Sequence, residues 1–206
     1  MIKFLLGLLA CFLILVLLAG VLKLVSVLVK RAEPEEEISF LVFETPDYDA
    51  DITEDEEYMR QDRRVWVSVG ALSAPLDDEV YEDTPLYVFF ETYFGALKTG
   101  DAAALRACYT EECAAALKIP ARITQQRVYD ILLTLVSSEE RTDEEGVKCT
   151  ESVYRFEYKI MKNDGVFRRD LESGAVKPQL VTLREYPDTI RISDVIGKYI
   201  IQGEKS

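Results

Sequence analysis

The most apolar segment of the chain is residues 4–22, which read FLLGLLACFLILVLLAGVL and contain no charged side chain. A helix of about 20 apolar residues spans the hydrocarbon core of a bilayer. The segment is apolar on every side, whereas a core helix of a globular domain has a polar face. Lys23 can extend its amine to the membrane surface, so the span can continue past it. We therefore expect a transmembrane anchor within residues 1–31 that contacts lipid through residues 4–29.

Two alternatives to an anchor are weaker. A cleavable signal peptide has a shorter apolar core and a small-residue cleavage site, for which Leu18-Ala19-Gly20 is a poor match. Leu8-Leu9-Ala10-Cys11 is similar to a lipoprotein signal, but apolar rather than polar residues follow the cysteine. Basic residues flank both ends of the segment, so they do not decide its orientation. Because N-terminal signal anchors are common, we expect a single-pass cell-membrane protein with its C-terminal domain outside the cytoplasm.

An acidic connector is predicted at residues 32–75, where stretches such as EPEEE and ITEDEE occur. High negative charge keeps such a segment extended and solvated. Two apolar stretches interrupt it, at residues 38–43 and 65–69, and the second alternates in the manner of a strand. Either stretch could bind a partner by adding a strand, or dock on the following domain. We favour docking, with an edge strand at 65–70.

The domain predicted at residues 76–206 begins with a helical hairpin. Its first segment has large apolar residues at helical spacing, namely Phe90, Tyr93, Phe94 and Leu97. Thr84 is the expected N-cap of this helix, and Gly100 is the expected left-handed stop at its end. Asp101 and Thr110 are positioned to cap a second and a third helix, and Pro120 ends the third.

Alternating strands follow the helices. Residues 128–136 and 153–161 each place alternate side chains on one face, which gives the inward set Tyr129, Ile131, Leu133, Leu135, Tyr154, Phe156, Tyr158 and Ile160. A turn at Asn163-Asp164-Gly165 predicts a short return strand at 166–171. Residues 180–186 and 189–195 are expected to pair across a further turn. Helices followed by antiparallel strands define an α+β domain with helices on one face of the sheet.

Composition excludes several functions. The chain carries a net charge of −13 and has no cluster of Lys and Arg, so we exclude nucleic acid as a partner. It contains no histidine, which excludes Ser-His-Asp and Cys-His nucleophile systems. The four cysteines show no C-x-x-C spacing, so neither a zinc site nor a thioredoxin-like motif is supported. We expect no metal and no cofactor.

The cysteines beyond the apolar segment leave two alternatives. If the domain is extracytoplasmic, Cys149 could form a disulfide with Cys108 or Cys113. The other interpretation, which we favour, is that all three are small buried thiols, because free cysteine is among the most buried residue types.

The stretch FFETYFGALKTGDAAALRACYTEE, which begins at Phe89, resembles the opening helices of the nuclear-transport-factor-2-like superfamily. The resemblance covers about residues 85–200. It implies that helices pack into the concave side of a curved antiparallel sheet to form a cone. The superfamily includes enzymes, carriers and assembly modules, so the resemblance implies a fold and not an activity. The layout of anchor, spacer and cone is also similar to that of membrane-anchored subunits of bacterial secretion and conjugation machines.

Three functional hypotheses follow. The favoured one is a membrane-anchored, non-catalytic binding or scaffolding module with a protein partner or a second copy of itself. The second is a ligand pocket in the mouth of the cone, although its proposed lining could equally fill the core: Phe90, Phe94, Tyr129, Tyr154 and Tyr158. The weakest is an isomerase- or dehydratase-type enzyme. Superfamily members of that kind use Asp, Tyr and His, and here only Asp130, Tyr129 and Tyr158 form a candidate triplet.

Overall fold

The computed structural model describes residues 41–78, 84–143 and 146–197, which form an α+β fold with a six-stranded mixed sheet. The predicted anchor at residues 4–29 lies outside the described residues. Within the described ranges, no helix is both long enough and apolar enough to cross a membrane. The described residues belong to one compact unit.

The three helices predicted from Thr84 onward are present, and two short helical segments precede them. After a 3-10 turn at Ile52–Glu54, the described α-helices are α1 (Glu56–Met59), α2 (Pro85–Thr99), α3 (Ala102–Ala107) and α4 (Glu111–Leu117). The side chains of Thr84, Asp101 and Thr110 accept hydrogen bonds from the first-turn amides of α2, α3 and α4, so the predicted caps are confirmed. Gly100 ends α2 with φ +72°, and a β-carbon there would lie 3.1 Å from the carbonyl oxygen of Ile123.

The sheet is mixed rather than antiparallel as predicted. Its strands are β1 (Val65–Val69), β2 (Leu72–Pro75), β3 (Arg127–Thr142), β4 (Lys148–Met161), β5 (Gln179–Glu185) and β6 (Ile190–Ile196). They lie in the order β2-β1-β3-β4-β5-β6. All neighbours are antiparallel except β1 and β3, which are parallel. The segment between β1 and β3 contains α2 to α4 and is long enough for the crossover that parallel strands need.

Residues 65–69 dock on the sheet as predicted, but not at its edge. Strand β1 lies between β3 and β2, so β2 is the edge strand. The predicted division between residues 75 and 76 therefore does not separate the sheet from a connector, because two of its strands precede that division.

Residues 51–62, which we call the strap, are packed rather than extended. Within the strap, Ile52 and Tyr58 are buried, and the Tyr58 hydroxyl donates to the carbonyl oxygen of Val128 at 3.1 Å. Asp55 accepts hydrogen bonds from Arg127 Nε at 3.0 Å and from Lys162 Nζ at 2.7 Å. The strap differs from the predicted extended connector because its carboxylates pair with basic side chains and cap short helices. These contacts offset the repulsion between the acids.

The predicted strand at residues 166–171 is wrong. These residues form a loop that the side chain of Asn163 organises, since Asn163 Nδ2 donates to the carbonyl oxygens of Arg168 and Leu171 at 2.8 and 2.6 Å. Asn163 Oδ1 accepts from the amide of Gly165 at 3.1 Å. One buried side chain thus satisfies backbone groups that a strand partner would otherwise satisfy.

The core lies between α2 and the inner face of the sheet. The predicted stripe of α2 is at most 3% exposed at Phe90, Tyr93, Phe94 and Leu97. Alternation along β4 is confirmed, with buried residues at Tyr154, Phe156, Tyr158 and Ile160. Between α2 and β4, the core therefore contains aromatic rings that the two elements contribute from opposite sides.

Candidate functional site: a groove beside the aromatic core

Four of the predicted pocket residues meet inside the core. The ring centroids of Phe90 and Tyr154 are 5.5 Å apart, and those of Phe94 and Tyr158 are 6.2 Å apart, in edge-to-face arrangements. Phe156 lies between them, 5.9 Å from Phe90 and 6.2 Å from Phe94. Rings at these distances contact one another. The geometry is that of a packed core in which the aromatic side chains fill the space between α2 and β4.

Tyr129 is separated from this cluster by a β-bulge. The pairing of β3 with β4 shifts register between Tyr129 and Leu132, and Asp130 has φ +50°. The extra residue in β3 turns Val128 and Ile131 into the core and leaves Tyr129 partly exposed. There Lys159 Nζ lies 5.6 Å from the ring of Tyr129. The alternation predicted for this strand is therefore confirmed at Ile131 and Leu133, which are buried, and wrong at Tyr129.

The candidate catalytic triplet is also divided. Asp130 forms an ion pair with Lys159 at 2.9 Å, and the Asp130 side chain is 44% exposed. Tyr158 lies in the core, and burial raises its pKa although Arg168 acts in the opposite direction. Tyr158 is therefore protonated at neutral pH. The structure brings no two members of the triplet together around a space that could hold a substrate.

Arg168 closes the polar end of the aromatic core and is itself 1% exposed. Its Nη1 donates to the Tyr158 hydroxyl and to Gln179 Oε1, both at 2.8 Å. Its Nε and Nη2 donate to the two carboxylate oxygens of Asp170 at 2.7 and 3.0 Å. Burial would lower the pKa of Arg168, but Tyr158 and Asp170 outweigh it and raise that pKa. This paired cation stabilises the loop between β4 and β5.

The three cysteines for which the sequence left a disulfide open form no disulfide with one another in the structure. Cys108, Cys113 and Cys149 are all buried. Burial raises the pKa of Cys108 to about 11, with Arg191 acting weakly in the opposite direction. Its Sγ lies 3.4 Å from the carbonyl oxygen of Ala104. Cys108 is therefore a neutral thiol near pH 7.

Two cavities open beside the core. A groove with a volume of about 660 Å³, which we call the Pro187 groove, lies between α2, α3 and the turn that joins β5 to β6. It is lined by Pro85, Val88, Phe89, Thr92, Ala104, Ala107, Cys108, Tyr186, Pro187, Asp188, Thr189, Ile190 and Arg191. Val88 is 57% exposed at this groove, while Phe89 and Ile190 are buried. The lining is mainly apolar and also includes the polar residues Thr92, Asp188, Thr189 and Arg191.

A second cavity of about 570 Å³, which we call the acidic cavity, adjoins the same turn. Its lining residues are Thr110, Glu112, Asp143, Val147, Arg184, Tyr186, Pro187, Asp188 and Ser193. Arg184 supplies the basic group of this lining, and its Nε lies 3.1 Å from Glu151 Oε2. The oxygens of Asp143 accept hydrogen bonds from the Val147 amide and the Tyr186 hydroxyl, and Glu112 and Asp188 are the other carboxylates of this lining.

Hydrogen bonds hold the walls of both cavities. The amide of Ile192 donates to the carbonyl oxygen of Cys108 at 2.8 Å, which joins β6 to the end of α3. The amide of Tyr186 donates to the carbonyl oxygen of Thr189 at 2.8 Å. The Tyr186 hydroxyl donates to Asp143 Oδ2 at 3.1 Å, which ties this turn to the end of β3. These bonds join the turn before β6 and β6 itself to the ends of β3 and α3.

The sequence analysis did not identify these groove residues. A signal was present, because residues 86–90 read LYVFF and are apolar on more than one side of the helix. The partner elements could not be foreseen, since the turn at Pro187-Asp188 was interpreted only as a connection between strands.

The site offers little reactive chemistry. The chain has no histidine. The thiol of Cys108 is neutral, and Asp188 is the carboxylate among the residues that line the Pro187 groove. Within the part of the chain that the structure describes, no group of Cys, Asp or Glu side chains could hold a metal ion.

No family model, curated protein or solved structure matches the chain. The fold and the groove together define an α+β protein with a preformed, mainly apolar surface site.

Proposed function

We propose that this chain is a membrane-anchored, non-catalytic binding or scaffolding module whose C-terminal domain faces outside the cytoplasm and recognises a protein partner. The observation that carries the proposal is the Pro187 groove, which combines an apolar lining, an exposed valine and a hydrogen-bonded frame. Exposed apolar surface rimmed by polar groups is typical of interaction sites. The apolar segment at residues 4–22 supports the anchor.

The proposed cone arrangement of residues 85–200 is part of the same interpretation. Its support is the order of elements, with α2 to α4 followed by the antiparallel run β3 to β6, and the packing of α2 against the inner face of β4. A bilayer anchor and a small domain with one preformed groove together suit a module that presents a binding surface near a membrane.

Site-specific photo-crosslinking in intact membranes tests the proposal. A photoreactive side chain replaces Val88 in the groove or, as a matched control, Val136 on β3. Both valines are 57% exposed, and Val136 lines neither cavity. We expect position 88 to capture one identifiable protein and position 136 not to capture it. If both positions leave only the uncrosslinked monomer, the proposed binding function is wrong.

Protease treatment of intact cells tests the orientation separately. With an epitope tag after Ser206, loss of the tag from intact cells is the expected result. A tag that survives until the cells are lysed would place the domain on the other side of the membrane or inside a protected envelope, and would contradict the extracytoplasmic assignment.

A second candidate function is binding of a small apolar ligand in the Pro187 groove. The volume of about 660 Å³ favours it, since small-molecule sites commonly measure about 300–1,000 Å³. Native mass spectrometry of the full chain released from detergent micelles would detect a retained ligand as added mass. That mass should disappear when Val88 is replaced by a bulky charged residue.

A further inference from the structure

The two cavities share one ridge. Tyr186, Pro187 and Asp188 line both the Pro187 groove and the acidic cavity. Pro187 and Asp188 are exposed at the crest of this ridge. A polypeptide that crosses the ridge therefore has an apolar groove on one side and a carboxylate-lined cavity on the other.

The cavities differ in the side chains that they can accept. The groove offers the apolar surfaces of Val88, Phe89 and Ile190. The acidic cavity offers the carboxylates of Glu112 and Asp188. In the same lining, Arg184 is paired with Glu151, and Asp143 accepts hydrogen bonds from the Val147 amide and the Tyr186 hydroxyl. An apolar side chain is favoured in the first, and a Lys or Arg side chain is favoured in the second by charge complementarity. The net charge of −13 also attracts a positively charged partner.

The ridge is held in place before any partner arrives. Tyr186 is fixed at both ends, by its amide bond to Thr189 and by its hydroxyl bond to Asp143. A rigid ridge reduces the ordering cost of binding. Pro187 has no amide hydrogen and cannot contribute a strand hydrogen bond, so recognition here depends on side chains rather than on strand addition.

We propose that the ridge at Pro187 recognises a protein segment in which an apolar residue is followed closely by a Lys or Arg. The apolar side chain enters the Pro187 groove, and the basic side chain enters the acidic cavity. This inference rests on the proposed binding function and names the chemistry of its partner.

Selection of displayed random heptapeptides on the full chain in lipid nanodiscs tests the inference. We expect enrichment of peptides with an apolar residue followed by Lys or Arg. Replacing the basic residue of a selected peptide by Glu should weaken its binding at least about tenfold, measured by fluorescence anisotropy. Selected peptides without a basic residue, or no enrichment at all, would overturn the inference.

Variants of the chain separate specific recognition from general attraction. In Glu112→Lys/Asp188→Lys, the affinity for the selected peptide should fall about tenfold. The matched control, Glu54→Lys/Glu172→Lys, changes the net charge equally at exposed acids that line neither cavity. Equal losses in the two variants would show attraction to the overall charge alone and would overturn the inference.

The crosslinking experiment at Val88 distinguishes this inference from the proposed function. If position 88 captures a protein but no basic peptide is selected, the binding function stands and the partner chemistry is wrong. A crosslink to a second copy of the chain, or to residues 79–83 of the same chain, would show a different occupant and would also overturn the inference.

Discussion

The two sides of helix α2 both contain large apolar residues but have different roles. On one side, Phe90 and Phe94 are 0% and 1% exposed and contact rings of β4. On the other side, Val88 is 57% exposed and Thr92 is exposed, and both line the Pro187 groove. The aromatic residues Phe90 and Phe94 belong to the core, whereas the exposed surface of α2 in the groove is formed by Val88 and Thr92. Aromatic character alone therefore does not identify a binding pocket.

The difference follows from what each side meets. The inner side faces β4, whose alternate residues supply large rings at matching positions. The outer side faces small residues of α3, Ala104 and Ala107, and the turn before β6. Large side chains opposite large side chains fill the available space, whereas a valine opposite alanines leaves a groove.

The largest expected effect comes from truncating the inner side. Phe90→Ala should reduce the free energy of unfolding by about 3–5 kcal/mol, because it removes a fully buried ring and leaves a cavity. Val88→Ala on the outer side should cost less than about 0.5 kcal/mol. Urea unfolding of the full chain in detergent micelles, followed by the fluorescence of the single tryptophan, measures both. Similar losses in the two variants would contradict the distinction between the two sides.

Removing the cation at the polar end of the core should have the next largest effect. Arg168→Ala should cost about 3 kcal/mol, because Asp170 and the Tyr158 hydroxyl would lose their buried partner. Arg155→Ala is the matched control. Arg155 is 50% exposed and pairs with Glu157, and its loss should cost less than about 1 kcal/mol. The same unfolding assay applies, and an Arg168 variant as stable as the Arg155 variant would show that the paired cation is dispensable.

How much could be predicted from sequence depended on whether the cause was local. The caps at Thr84 and Asp101 depend on neighbouring residues and were predicted correctly. The alternation of β4 was also predicted, since that strand is regular. The alternation predicted for β3 failed at Tyr129. The cause is a bulge with positive φ at Asp130, and such a bulge at a residue other than glycine has no clear signal in a single sequence.

Long-range partners account for the remaining differences. The strap looked like a solvated connector because its charge was assessed without Arg127 and Lys162, which are distant in sequence and pair with Asp55. The Pro187 groove was missed for a similar reason, since it needs α2, α3 and the turn before β6 together. Sequence pattern identified each element but not the neighbour it would meet.

The strap, which belongs to neither side of α2, should make the stability of the protein depend on pH through Asp55. Lys162, the amide of Tyr58 and Arg127 lower the pKa of Asp55 to about 2 from an ordinary value of 3.8. Because the folded pKa is the lower one, this stabilisation is fully present above about pH 4 and is lost as the pH falls toward 2. Asp55→Asn keeps a capping side chain and should cost about 1 kcal/mol at pH 7.

Urea midpoints between pH 2 and pH 7 measure this effect. The acid-dependent loss of stability should be smaller in Asp55→Asn than in the parent chain. Glu172→Gln, a change at an exposed acid in the loop between β4 and β5, should leave the pH profile unchanged. An identical profile in all three proteins would show that Asp55 does not hold the strap.

The smallest expected effect on stability concerns Cys108, whose rate of alkylation compares the two sides of α2. Cys108 lines the groove but is only 4% exposed. Burial raises its pKa to about 11 from an ordinary value of 9.0, so iodoacetamide at pH 7.5 should alkylate it at least about a hundredfold more slowly in the folded chain than in urea. Peptide mass spectrometry of quenched samples measures the rate at this site. Phe90→Ala should accelerate the reaction because it lowers the cost of opening the core, whereas Val88→Ala should leave it nearly unchanged. Acceleration by Val88→Ala alone would mean that the outer side of α2, and not the aromatic core, controls access to the thiol. That result would contradict the assignment of the core to the inner side alone.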